Sequence, residues 1–127
     1  MTGVDLSGEV DGIVRRRGDG GWFLPDLAAN SFGHGIGVTP LQIASAIGAI
    51  ANQGVLMRPH VVRAVAHADG ESGFVQPQQV RRVISAETAQ QLIQMMESAE
   101  AGIADNSARV PGYRTAGKTG TAEVPVG

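Results

Sequence analysis

Glycine limits how long any regular element in this chain can run. Eighteen of the 127 residues are glycine, about twice ordinary usage. Half of them crowd the start, at Gly3, Gly8, Gly12, Gly18, Gly20, Gly21, Gly33, Gly35 and Gly37. A glycine inside a helix costs about 1 kcal/mol relative to alanine, so no helical period survives that spacing. Residues 1–37 are therefore expected as loop and tight turns, with regular structure in short pieces further along.

The first clear helix signal follows at Thr39. Its hydroxyl suits an N-cap, and Pro40 suits the first helical position, where a missing N–H costs nothing. Ile43, Ile47 and Ile50 recur at helical spacing. Ala44, Ala46, Gly48, Ala49 and Ala51 keep the other faces small, which predicts a buried, closely packed helix. Gly54 reads as its stop.

The segment His60 to His67, with Val61, Val62 and Val65, reads as a strand, and Ala68-Asp69-Gly70-Glu71 as a hairpin turn. A return strand is expected from about Phe74 to Val83, interrupted by Pro77. Ser85 then caps a second helix, with Glu87 in its first turn. Ala89, Leu92, Ile93 and Met96 form one apolar stripe, and Met95 and Met96 read as core. This helix should fray near Ser98 to Gly102. Pro111-Gly112 turns the chain into a last strand, Tyr113 to Val124.

Composition excludes several kinds of chemistry. With no cysteine, disulfides, thiolate metal sites and cysteine nucleophiles are ruled out. A net charge of −2 gives no general attraction to nucleic acid. The longest apolar stretch, Ile36 to Ala51, falls short of the ~18 residues of a membrane span, and the polar start MTGVDLSGEVDG carries no leader pattern. Arg15, Arg16 and Arg17, flanked by Asp11 and Asp19, read as a solvated turn. His34, His60 and His67 make no metal-ligand spacing. Trp22 and Phe23 would either anchor their loop or line a surface.

The only lysine in the sequence, Lys118, stands in the run AGKTGTAE. Lys-Thr-Gly is one of the boxes of penicillin-binding proteins and serine β-lactamases, beside S-x-x-K and S-D-N. Acyl transfer by a serine needs a nucleophile, a base, oxyanion donors and groups that orient the substrate. A K-T-G strand at a cleft edge can supply the last two. The ammonium sets a positive potential, the threonine hydroxyls can hold a carboxylate, and the glycine lets a substrate lie against the strand. The next backbone N–H then points at the carbonyl under attack. Four residues alone remain a weak signal, and an edge strand with a solvated lysine would read the same.

The flanks carry more. The segments TGVDLSGEVDG, NSFGHGIGVTPLQIASAIGAIANQGVLMRPHVV and VPGYRTAGKTGTAE, in this order, resemble the class B penicillin-binding proteins, the D,D-transpeptidases of septal and elongation peptidoglycan synthesis. The resemblance covers nearly the whole chain. It implies an α/β (α+β) serine β-lactamase/transpeptidase-like fold, present in part, with helices and an antiparallel sheet ending in the K-T-G strand. It implies that Lys118 is the active-site lysine of the third motif and that Thr119 contacts the substrate carboxylate. Gly120 permits close approach, and Thr121 supplies an oxyanion N–H and a second hydroxyl. His34 stands where family members commonly carry Gln, and Asp5 and Glu9 become parts of a structural segment instead of an acid pair.

The companion boxes are missing. None of Ser7, Ser31, Ser45, Ser72, Ser85, Ser98 and Ser107 has Lys three positions later or Asn two positions later. Residues 1–127 are therefore expected to be part of a penicillin-binding transpeptidase domain, without S-x-x-K, S-x-N or the strands after K-T-G, and inactive alone. The implied reaction is attack on a D-Ala-D-Ala stem peptide through a serine acyl-enzyme, which penicillins also acylate. No metal or organic cofactor is implied. The implied partners are the peptidoglycan stem peptide, β-lactams, the rest of the domain and proteins of the division or elongation machinery, with no nucleic acid. The implied location is the extracytoplasmic face of the bacterial cell membrane. The alternatives are a β-lactamase or penicillin-sensor relative, and a non-catalytic interaction module.

Overall fold

The computed structural model describes residues 1–68, 70, 72–103 and 109–120. Among these residues three helices and four short strands follow one another: α1 (Leu24–Ser31), α2 (Pro40–Ala51), β1 (Val55–Met57), β2 (Ala64–Ala66), β3 (Ser72–Phe74), β4 (Gln79–Arg82) and α3 (Ala86–Ala101).

Helix α2 begins as its sequence dictates. Thr39 Oγ1 accepts from the Gln42 N–H at 3.2 Å, and the side-chain Oε1 of Gln42 accepts from the Thr39 N–H at 2.9 Å, a reciprocal capping box. At its far end Gly54 adopts φ +82 and donates to the Ala49 carbonyl at 2.8 Å. Helix α3 is capped by Ser85, which accepts from the Thr88 N–H at 3.1 Å, and it stays helical through Ala101 instead of fraying at Ser98.

Among the described residues two two-stranded antiparallel sheets form. β2 pairs with β3, Ala64 opposite Phe74 and Ala66 opposite Ser72, which is the expected hairpin. β1 pairs with β4, Val55 opposite Arg82, with an irregularity between Leu56 and Met57. The single return strand expected from Phe74 to Val83 is thus two strands. The chain leaves β3 before Pro77, which has no N–H to give a ladder, and its second half crosses to β1.

The expected strand from His60 is also shorter. The N–H groups of Val61 and Val62 donate to the two carboxylate oxygens of Asp5, at 2.8 and 2.9 Å. That leaves Ala64–Ala66 for the ladder. The same N-terminal segment is tied down by Arg58, whose Nε donates to the Gly3 carbonyl at 2.5 Å. Glu9 accepts from Gly3 N–H at 3.0 Å and from both the N–H and hydroxyl of Thr2. Asp5 and Glu9 are therefore fasteners of a loop. Further on, Ile13 and Gly37 exchange backbone hydrogen bonds of 2.5 and 2.9 Å.

Helix α1 lies within the region expected to be loop. Eleven residues separate Gly21 from Gly33, room for two turns. Pro25 stands in its first turn, and the Asp26 carboxylate accepts from the Phe23 N–H at 2.6 Å. Arg15, Arg16 and Arg17 are exposed beside a turn closed by Asp19, whose carboxylate accepts from the Arg16 N–H. Trp22 is half-buried and Phe23 exposed.

α2 packs on β1 and on α3. Among the described residues the buried hydrophobic side chains are Ala49 of α2 and Ala89 of α3. Burial is far less than α2 alone suggested, since Ile43 and Ile47 stay exposed and Met95, expected in the core, is 65 % exposed. The accessible surface is 10133 Å², against roughly 6,400 Å² for a compact monomer of this mass. The second face of α2 has no element against it among the described residues, which is why its apolar side chains remain open.

Candidate functional site

The K-T-G box hangs from the last turns of α3. Helix α3 presents Glu97 and Glu100 one turn apart near its C-terminal end. The Arg114 guanidinium donates to Glu97 at 2.7 Å. The Thr115 hydroxyl donates to Glu100 Oε1 at 2.5 Å. The Gly117 N–H reaches the Met96 carbonyl at 3.5 Å. Three successive attachments thus run along residues 114–117 and stop one residue before Lys118.

The two acids differ in setting. Glu100 is 6 % exposed, the one buried charged side chain among the described residues. Glu97 and Arg114 form a more open pair, and the hydrogen bond that Arg114 donates to Glu97, together with the negative charge of Glu97, raises the Arg114 pKa above its ordinary value. Such an exposed pair adds little stability, about 0–1 kcal/mol, and chiefly fixes direction. A cleft of about 350 Å³ opens here, lined by Glu97, Glu100, Arg109, Tyr113 and Arg114.

Of the expected site residues, Lys118, Thr119 and Gly120 are exposed. Lys118 Nζ donates to the Thr119 carbonyl at 2.7 Å and meets Thr119 Oγ1 at 3.1 Å. The ammonium has three donors, so one remains for another acceptor. Among the described residues, its chain neighbours apart, no atom lies within 4 Å of where a Gly120 Cβ would stand. Thr121 lies outside the described residues, as does the rest of the expected strand to Val124. The expected strand itself is not formed over residues 113–120, which carry no ladder. An extended segment needs a neighbour's N–H and C=O groups to become a strand, and no described strand lies beside it.

Reading the sequence alone missed the α3 attachment. Its signal was present: two acids three residues apart at the helix end, and Arg-Thr just ahead of A-G-K. The remaining expected residues do not converge on the box. His34 sits in the loop before α2, its ring 5.0 Å from that of Phe32, and Asp5 and Glu9 hold the N-terminal segment. Among the described residues no group of three acidic or histidine side chains is placed to hold a metal.

Comparison with known proteins fixes the class. Residues 1–126 match the family model of the penicillin-binding protein transpeptidase domain. Over 96 % of the chain, the sequence is 35 % identical to Stage V sporulation protein D of Bacillus subtilis and 36 % identical to penicillin-binding protein PbpB of Mycobacterium tuberculosis. The chain spans about a fifth of the length of these curated relatives, 19 % of each. A peptidoglycan synthetase from Bifidobacterium adolescentis superposes on the whole chain with a TM-score of 0.85 at 31 % identity, the chain covering 23 % of it. Penicillin-binding protein 3 of Mycobacterium tuberculosis complexed with aztreonam superposes on 91 % of the chain with a TM-score of 0.69 at 33 % identity, 24 % of that protein being covered.

The chain belongs to the penicillin-binding protein transpeptidase family, among the class B D,D-transpeptidases that its three quoted segments resemble. The mixed helix and antiparallel-sheet architecture is that of part of the transpeptidase fold.

Proposed function

We propose that residues 1–127 form the substrate-binding wall of a peptidoglycan D,D-transpeptidase that acts through a serine acyl-enzyme. Lys118 supplies positive potential and takes part in proton movement, and Thr119 binds the terminal carboxylate of a D-Ala-D-Ala stem peptide. Gly120 admits the peptide as an added strand. Thr121 donates its N–H to the developing oxyanion, a contribution of about 3 kcal/mol where such donors have been removed, and its hydroxyl to the carboxylate. The nucleophile comes from outside this sequence, since no serine here sits in S-x-x-K. β-Lactams acylate that serine, and the domain works on the extracytoplasmic face of the cell membrane.

The observation that carries this reading is the exposed Lys118-Thr119-Gly120 box, in a chain whose relatives include named peptidoglycan D,D-transpeptidases. Fluorescent penicillin provides the test. Residues 1–127 alone should take up no covalent label. A transpeptidase domain carrying these residues downstream of an S-x-x-K segment should label saturably and lose labelling on Lys118→Ala. Stoichiometric labelling of the chain alone would overturn the assignment of the nucleophile, and full labelling of the Lys118→Ala domain the role of the box.

A further inference from the structure

We propose that Glu100 and Thr115 form a latch that positions the K-T-G box, making Thr115 and Glu100 positioning residues for the reaction. The inference rests on the reading of Lys118 to Gly120 given above. Its geometry is independent of that reading.

Ordering of the box has to come from somewhere. Among the described residues, 113–120 have no ladder, and the contacts that hold them there are those to α3. The nearest fixed body is α3. Its inner stripe, Ala89, Leu92, Ile93 and Met96, packs toward α2, with Ala89 fully buried. Glu100 is four residues beyond Met96 on the same helix face and is buried at the end of that stripe. A carboxylate is rarely buried without partners. Here the Thr115 hydroxyl gives it a charge-assisted bond of 2.5 Å, the stronger class of hydrogen bond.

Thr115 is half-buried while the residues on either side of it are exposed. Its side chain turns inward three residues ahead of Lys118, and Gly117 is half-buried as well. The Gly117 contact to the Met96 carbonyl is long at 3.5 Å, and the Arg114–Glu97 pair is solvent-exposed. The buried bond is the firmest of the three attachments, and a small slip there carries through to Lys118, Thr119 and Gly120. Misplacement of a binding group by about 1 Å can cost up to about a hundredfold in rate.

The sole lysine makes the latch readable in the chain itself. Reductive ¹³C-methylation of residues 1–127 labels Lys118 and the N-terminus, and the lysine signal reports the order of the box. Thr115→Val keeps shape but removes the donor; Thr115→Ser keeps the donor. With helix content unchanged by circular dichroism, Thr115→Val and Glu100→Ala should shift and sharpen the lysine signal toward that of a free side chain, and Thr115→Ser should restore it. An unchanged Lys118 signal in Thr115→Val would overturn the latch, even if Glu100→Ala unfolds the helix.

In a transpeptidase domain carrying these residues, Thr115→Val should slow acylation by penicillin about tenfold, with Thr115→Ser recovering most of it. Lys118→Ala in the same domain separates the two claims. If it labels normally, the reading of the box fails. If it is inactive while Thr115→Val acylates at the original rate, the latch fails and the box stands.

Discussion

Gly54 is the most closely surrounded glycine among the described residues, and replacing it with alanine gives a prediction with a calculable size. It joins α2 to β1 in a left-handed conformation, φ +82. A Cβ there would lie 2.2 Å from the Ile84 carbonyl oxygen and 2.9 Å from its carbon. Both are backbone atoms, so the junction of β4 and α3 would have to retreat by about 1 Å to reach ordinary van der Waals separation. Left-handed backbone costs alanine about 1 kcal/mol. Overpacking a site that cannot relax costs about 1–3 kcal/mol. The smaller unfolded-state entropy of alanine returns about 0.5 kcal/mol. Gly54→Ala should therefore destabilise the α2–β1–β4–α3 unit by about 2–3 kcal/mol. The Gly54 carbonyl also accepts from the Val83 N–H at 2.8 Å, so the β1–β4 ladder suffers with it. Gly48 is the control: it lies inside α2 with no atom within 4 Å, and Gly48→Ala should add up to about 1 kcal/mol. The assay is urea unfolding followed by ellipticity at 222 nm, with Gly54→Ala read in the Gly48→Ala background. A slope of about 1 kcal/mol per molar urea turns the predicted loss into a midpoint about 2–3 M lower. Equal midpoints for the single and double variants would refute the steric argument.

Two further predictions concern the fasteners. The N–H groups of Val61, and next Val62, hold the Asp5 carboxyl below its ordinary pKa of 3.8. A depressed folded pKa means the fastening is complete above the ordinary value and is lost as pH falls through the lower, folded one. The Val61 and Val62 amide resonances should therefore titrate together below about pH 4, and Asp5→Asn should abolish that step; amides that titrate in the Asn variant would contradict it. Thr39→Ala removes half of the capping box and should cost about 1 kcal/mol, seen as reduced ellipticity, with Thr39→Ser close to the original; an Ala variant as helical as the parent would show that the box contributes nothing.

How much of this was readable in the sequence depends on how local each cause is. Thr39, Pro40 and Ser85 act within one turn, and both capped helices stand where those residues place them. The hairpin between β2 and β3 is also a local event, set by one turn. β1 was missed because three residues, Val-Leu-Met, carry no period, and their partner β4 lies more than twenty positions away. α1 was missed because a count of glycines looks at spacing as a whole, while a two-turn helix needs only the gap from Gly21 to Gly33. Exposure was misread for Ile43, Ile47 and Met95 because an apolar stripe says that a face seeks cover, and not whether these 127 residues provide it. At the site, Lys118 to Gly120 were legible as a motif. The α3 attachment was not, because it joins residues fifteen and seventeen positions apart through side chains with no motif of their own.

The β1–β4 pairing has a consequence for how such chains can change. It closes the main chain on itself between Met57 and Gln79, so everything between leaves and returns through one gate. The β2–β3 hairpin inside that gate touches no other helix or strand among the described residues. Its length and outer sequence are thereby uncoupled from the geometry of α3 and the box. Evolution can lengthen, trim or recompose it without retuning α3 or the box, and an experimenter can splice a reporter into the hairpin on the same grounds.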